Sequence, residues 1–151
     1  MSDTRLQIRD DRHDALSDSD FAVIHGFLSQ TYWAGNIPAE TQRRALEHSL
    51  CYRGYIDGAL VAFARVVSDR ATFAYLADVF VLPEQRGRGH ARALVRAAMD
   101  DPRLQGLRRW HLVTRDMQTL YAGLGFEALS QPEYHMQRHD PDVYRRNDRN
   151  G

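Results

Sequence analysis

Residues able to do chemistry gather in three stretches of this 151-residue chain. The first is Arg86-Gly87-Arg88-Gly89-His90-Ala91-Arg92, which joins an apolar, β-rich run to the start of a helical pattern. The first amides of a helix have no partner within it and lie at the positive end of its dipole, so such a junction can bind an anion such as a phosphate. The dipole contributes on the order of 1 kcal/mol per charge, so several amides must act together. Gly87 and Gly89 let the backbone approach the anion, because a Cβ there would occupy the space of an oxygen or forbid a positive φ. Arg86, Arg88 and Arg92 add positive charge around the same point. Taken alone, the pattern also fits a solvated Arg-Gly turn capping an ordinary helix.

The second stretch holds Asp78, an acid within the apolar run Phe73 to Leu82, where it needs either a partner or a task. Strand alternation predicts that it faces away from Ala77 and Val79. A salt bridge to an arginine such as Arg65 stands beside a role in taking a proton or holding an ammonium group. The third stretch holds Tyr121, preceded by His111 and Asp116 around a further strand. Either could serve as a base, although a strand histidine is more often a packing residue. No cluster has metal-ligand spacing, and no nucleotide-binding lysine motif or Ser-His-Asp arrangement is present.

The elements that must position these groups follow from periodicity. A short strand is predicted at Leu6 to Arg9, and a helix over Asp20 to Gln30 from the spacing of Phe21, Ile24, Phe27 and Leu28. Thr31 to Ile37 reads as a loop carrying Tyr32 and Trp33, with Trp33 either packing on the core or touching a substrate. Pro38 opens a second helix, Ala39 to Leu50. Strands follow at Cys51 to Ile56 and Ala59 to Val67 around the Asp57-Gly58 hairpin turn, then at Phe73 to Leu82, stopped by Pro83. Such short turns require antiparallel pairing. A helix from Gly87 to about Asp100 and a strand at Trp110 to Thr114 complete a crossover unit, hence a parallel pair. A last helix, Asp116 to Leu124, is stopped by Gly125 as a left-handed cap, and Phe126 to Leu129 returns to extended structure. The nearly all-polar tail from His139 reads as a mobile end or a surface arm.

Bulk properties bound the function. With 43% hydrophobic residues the chain can bury one core, so residues 1–151 are expected to form a single domain. Its 20 basic and 20 acidic residues cancel, which argues against nucleic acid as a partner. All the basic residues are arginine, which fits coding bias better than chemistry. The lone Cys51 implies a reducing compartment, and a polar N-terminus with no apolar run of spanning length predicts a cytoplasmic protein with no membrane partner.

Three segments together resemble the GNAT (Gcn5-related) N-acetyltransferase superfamily. Arg86-x-x-Gly89-x-Ala91 is similar to its Arg/Gln-x-x-Gly-x-Gly/Ala signature. Tyr75 to Pro83 looks like the strand before that signature, and Leu120-Tyr121-Ala122-Gly123-Leu124-Gly125-Phe126 looks like its C-terminal Leu-Tyr-x-x-x-Gly-Phe element. The likeness covers about Phe21 to Met136. It departs at Ala91, where glycine is commoner, and at Met117, where a small residue is usual; Met117 then either narrows the cofactor channel or packs in the core.

The resemblance implies an α/β fold: a mixed, mostly antiparallel sheet whose parallel fourth and fifth strands splay apart, flanked by helices. It implies acetyl-CoA as co-substrate and no metal. The pyrophosphate would lie on Arg86, Gly87, Arg88, Gly89, His90, Ala91 and Arg92, and the pantetheine arm along the backbone of Val79, Phe80 and Val81, with Asp116 nearby. Tyr121 would be the general acid to the thiolate, a transfer uphill by about 2 kcal/mol at ordinary phenol and thiol values. Asp78 would take the amine proton or hold the ammonium, although polyamine-type members often carry Glu-Asp where this chain has Ala77-Asp78, so that one of the two carboxylates is missing. The acceptor would be a small-molecule amine contacted by Tyr32 and Trp33, with its recognition in the variable parts, namely the Tyr32 to Asn36 loop, the first two helices and the segment Gln131 to Arg138. A protein amine, or a non-catalytic acyl-CoA sensor, are the alternatives. Homodimers are frequent in the family.

Overall fold

The computed structural model describes residues 5–150; residues 1–4 and 151 of the expected single domain lie outside the described residues. Five strands, β1 (Gln7–Arg9), β2 (Leu50–Ile56), β3 (Ala59–Ser68), β4 (Phe73–Val81) and β5 (Arg109–Leu112), form one sheet in sequential order. All neighbours pair antiparallel except β4 and β5, which are parallel. The mixed sheet expected from turn lengths and from the single crossover is therefore the one observed.

Helices α1 (Asp18–Leu28) and α2 (Ala39–Glu47) cover one face, where Phe21, Ile24, Leu28 and Leu46 pack on Phe63 and Phe80. Helix α3 (His90–Met99) and α4 (Gln118–Ala122) cover the other, where Leu94, Val95, Ala98 and Tyr121 meet Ala62, Ala64, Val66 and Leu76. Ser17 caps α1 by accepting the Asp20 amide on its hydroxyl at 3.1 Å, which starts the helix two residues before Asp20.

Several boundaries differ from expectation for local reasons. Helix α2 ends at Glu47 rather than Leu50, because Leu50 is drawn into the β2–β3 ladder opposite Val66. Strand β5 ends at Leu112, not Thr114, because Val113 and Thr114 leave the sheet while β4 stays paired with β3. Helix α4 is shortened to five residues: Thr114 Oγ1 accepts the Met117 amide at 3.1 Å, holding Asp116 and Met117 in the preceding turn. Gly125 (φ +96°) is the expected left-handed cap, with its amide on Ala122 O at 3.1 Å and that of Phe126 on Tyr121 O at 3.0 Å. Phe126 to Leu129 adds no strand to the sheet. A final helix, α5 (Val143–Asn150), follows, and Tyr144 at its start packs against the α1–α2 core.

Burial makes this fold sensitive to alkali. It pushes the Cys51 thiol from 9.0 to about 12, and the Tyr55 phenol from 10.0 to about 12. The folded chain thus keeps protons that the unfolded chain releases from about pH 9 upward. Stability is expected to be full below that pH and to fall as pH rises towards about 12. Thermal unfolding at half-unit pH steps checks this, and Cys51→Ala should flatten the first part of the fall.

Candidate functional site

The parallel ladder between β4 and β5 stops at Leu76 and Leu112. Beyond it β4 stays paired with β3, while Val113 and Thr114 leave the sheet. A cleft of about 530 Å³ opens in the gap, lined by Ala77, Asp78 and Val79 on one side and Val113, Thr114 and Met117 on the other. Its β4 wall is a strand edge, able to take an extended chain through main-chain hydrogen bonds.

A bulge shapes that wall. Phe63 pairs with Phe80 and Arg65 with Ala77, so one residue of β3 opposes both Asp78 and Val79. Asp78 takes φ +57°, the left-handed region that few non-glycine residues occupy. The extra residue breaks the expected alternation in part: Ala77, paired with Arg65, and Asp78, bound to Arg65, share one side, whereas Val79 packs against the α3–α4 core on the other, as period two predicts.

Asp78 is held at both oxygens. Arg65 Nε donates to Oδ2 at 2.7 Å, and the Trp33 indole N–H donates to Oδ1 at 2.8 Å. The Arg65 ion pair weighed from the sequence is therefore present, and Trp33 adds a second donor. Each carboxylate oxygen keeps a further lone-pair direction for another donor. Trp33 is 43% exposed, so it is part of the cleft wall and not of the core. Tyr32 stands edge-on to it, with the Arg115 guanidinium 3.9 Å from its ring centroid.

Tyr121 is buried at the end of the cleft, edge-on to Phe126, and its carbonyl is pinned by the amides of Leu124 and Phe126. Burial, with a smaller contribution from Tyr32, pushes its phenol up to about 12. The hydroxyl thus stays protonated, and able to donate, throughout the ordinary pH range.

The loop from Arg86 to Ala91 ends at the start of α3. Gly87 (φ +79°) and Gly89 (φ +80°) are both left-handed, and a Cβ built on either would meet nothing within 4 Å. The space in front of them is open, and Gly89 caps α3 without a side chain, so the first amides of the helix keep their donors. Arg86 turns back to donate from Nε to Val81 O at 2.9 Å, and Arg88 to Gln85 Oε1 at 2.9 Å. Arg92 lies over Gly123, where an added Cβ would come within 2.9 Å of its Nη2. His90 is buried, with Nε2 unpartnered among the described residues. A cradle of free amides open to an anion fits a pyrophosphate, while of the three arginines expected around it Arg86 and Arg88 are engaged by Val81 O and Gln85 Oε1.

The remaining expected residues separate. Asp116 and Met117 line the cleft, and Met117 is 47% exposed, so it belongs to the channel wall and not to the core. Val79 lines the cleft, whereas the Phe80 ring stacks on Phe27 at 4.2 Å and only its backbone is available. His111 is not brought to the site. It stacks with Tyr75 and His135, and burial lowers its pKa. Among the described residues no three His, Cys, Asp or Glu side chains are placed to hold a metal, and no helix is long and apolar enough to cross a membrane.

Three features of the cleft were not named as residues from the sequence, although the second helix and the segment Gln131 to Arg138 were expected to bear on the acceptor. Gln42 lines it from α2, Tyr75 from β4, and Gln137, His139, Pro141 and Tyr144 bring the C-terminal arm across it. Gln42 had a legible signal: it lies four residues before Leu46 on the buried face of α2, a polar residue at a core position. The arm had none beyond Tyr144, an aromatic in a polar tail.

Comparison with known proteins agrees with this geometry. The model of the acetyltransferase (GNAT) family matches residues 12–126. A Gibberella zeae protein provisionally named an acetyltransferase is 32% identical over 122 residues, covering 66% of this chain and 68% of its own. A Xanthomonas campestris structure, provisionally assigned to the same family, superposes with a TM-score of 0.84 at 48% identity, over 94% of this chain and 98% of that one. An aminoglycoside N-acetyltransferase solved with CoA shares the fold, with a TM-score of 0.65 at 22% identity over 92% and 97% of the two chains.

Proposed function

The chain belongs to the GNAT acetyltransferase family, and from that premise we propose that it is an acetyl-CoA-dependent N-acetyltransferase acting on the primary amine of a small molecule. The observation that carries the reading is the opening of β4 from β5 between a free-amide cradle at α3 and the protonated phenol of Tyr121.

The co-substrate would supply an activated thioester. The amides from Gly87 to Ala91 hold its pyrophosphate, helped by the α3 dipole. The open edge of β4 from Ala77 to Val81 aligns the pantetheine arm as an added strand and offers amide donors to a carbonyl oxygen. Asp78 draws the ammonium to the wall facing the thioester through an oxygen already oriented by Arg65 or Trp33 and takes its proton, directly or through water, so that the neutral nitrogen attacks the carbonyl carbon and the C–S bond breaks to release the thiolate. Tyr121 donates its hydroxyl hydrogen bond to the departing sulfur. With the phenol near 12, complete proton transfer to a thiolate of about 8.5 would be uphill by about 5 kcal/mol, more than the value for an unperturbed tyrosine. Its role is therefore mainly stabilisation through the hydrogen bond.

The C-terminal arm supports a small acceptor over a protein one, because Gln137, His139, Pro141 and Tyr144 close one side of a cleft that must also admit the pantetheine arm. Calorimetric titration with acetyl-CoA, followed by a thiol-release assay over amines, amino acids and lysine-containing peptides, tests the proposal. Saturable binding with release for a small amine is the expected result. Binding without release would replace the catalyst with a sensor, and release only with peptides would replace the acceptor class.

A further inference from the structure

Gln42 is the least explained polar residue of the molecule. It is 1% exposed, its Oε1 is buried, and its side-chain amide makes no hydrogen bond among the described residues. Buried amides are almost always paired, and leaving one unpaired costs stability that an apolar residue in the same helix position would not. Its two neighbours along the buried face of α2, Ala45 and Leu46, show what the position would ordinarily hold. Gln42 lines the cleft, and its side-chain Nε2, a donor without a partner among the described residues, is available to a ligand there, whereas Oε1 is an acceptor that only a donor such as an ammonium group can complete.

The same wall contains a second incomplete group. Arg65 donates from Nε to Asp78 and from Nη1 to Ser49 Oγ at 3.1 Å, and its other N–H groups have no partner among the described residues. Its side chain is 19% exposed. Arg65, Gln42 and Thr41 all line the cleft, and Arg65 is tied to α2 through Ser49, whose hydroxyl donates to Ala45 O at 2.7 Å one helical turn from Gln42. This wall offers uncommitted N–H donors, one of them cationic, beside a carboxylate that can take an ammonium group.

We propose that Gln42 and Arg65 form the recognition point for the acceptor, and that the acceptor is an amine carrying a carboxylate, of the free amino-acid class. This rests on the acetyltransferase reading for the reaction but not for the recognition. The carboxylate accepts from the remaining Arg65 guanidinium N–H groups and from Gln42 Nε2, while the ammonium of the same molecule has Asp78 and Gln42 Oε1 as acceptors. The cleft does not suit a polycation. Its wall carboxylates are Asp78, already engaged by Arg65 and Trp33, and Asp116, with Arg65 in opposition. A volume of about 530 Å³ shared with the pantetheine arm leaves room for a compact molecule.

The test compares free amino acids with the matched amines that lack the carboxylate, using thiol release at saturating acetyl-CoA. At least one amino acid should exceed its decarboxylated counterpart by about 10²-fold or more in kcat/KM, as expected where buried polar groups are otherwise left unpaired. Equal rates for both would overturn the proposal. Gln42→Met supplies an independent readout. The thioether fills the same space without an unpaired amide, so Tm should rise, while the KM for the amino acid rises about tenfold and acetyl-CoA affinity is unchanged. A fall in Tm with an unaltered KM would make Gln42 a structural residue and overturn the assignment. Calorimetric titration of amino acids into the CoA-saturated protein separates the two readings. Binding of an amino acid without any thiol release would sink the catalytic function yet uphold the recognition point, and no binding by any amino acid would sink the recognition point alone.

Discussion

Tyr121→Phe is expected to lower kcat by about 10²-fold or more while leaving the affinity for acetyl-CoA essentially unchanged. The substitution removes one oxygen from a buried ring. Its edge contact with Phe126 survives, and so do the main-chain bonds from Leu124 and Phe126 to its carbonyl, because neither uses the hydroxyl. A change in turnover can then be assigned to the lost donor, not to a shifted helix. The raised phenol value adds a second signature. Since Tyr121 stays protonated to about pH 12, the wild-type kcat profile should show no loss from this residue at or below pH 10. Thiol release measured from pH 6 to 10 for both proteins checks this. A parallel offset at every pH fits a hydrogen-bond donor, and an unchanged kcat would remove Tyr121 from the reaction.

Much of the architecture was legible because local signals and tertiary packing agree. Asp57-Gly58 places a hairpin that the β2–β3 register confirms, with Ile56 opposite Ala59. The change from strand to helical period at Gly87 gives the crossover, and with it the parallel pairing of β4 and β5. Gly125 marks the end of α4 through the same left-handed requirement that it meets in the structure. Each of these depends on residues close together in the chain.

What was not legible depends on residues far apart. The bulge at Asp78 exists because β3 and β4 differ by one residue between two paired positions, and no single-strand pattern carries that count. Trp33 reaches Asp78 across 45 positions, so the sequence could offer a loop aromatic and a strand acid but not their hydrogen bond. His111 shows the converse. Its place with Asp116 about the same strand made it a candidate, yet its ring stacks on Tyr75 and His135 and does not line the cleft. The arm from Gln137 to Tyr144 is placed by a single aromatic packing on a distant core, which hydropathy cannot foresee.

Gly89→Ala should weaken acetyl-CoA binding by about 10²-fold, and the structure supplies its control. In the free protein the added methyl meets no atom within 4 Å, so the substitution carries only the strain of φ +80° in a residue with a Cβ, about 1–2 kcal/mol. With the pyrophosphate on the α3 amides, the same methyl lies where an oxygen must approach, and several charge-assisted bonds lengthen together. Gly106 has φ +74° and equally open surroundings, but it stands beyond the far end of α3. Gly106→Ala should therefore lose a similar amount of thermal stability and keep full affinity. If the two variants fall together in Tm and part in calorimetric affinity, the loss at Gly89 is steric and local to the cradle. If both bind acetyl-CoA as the parent protein does, the pyrophosphate does not sit at this loop, and the guanidinium groups of Arg88 and Arg92 surround an ordinary helix cap.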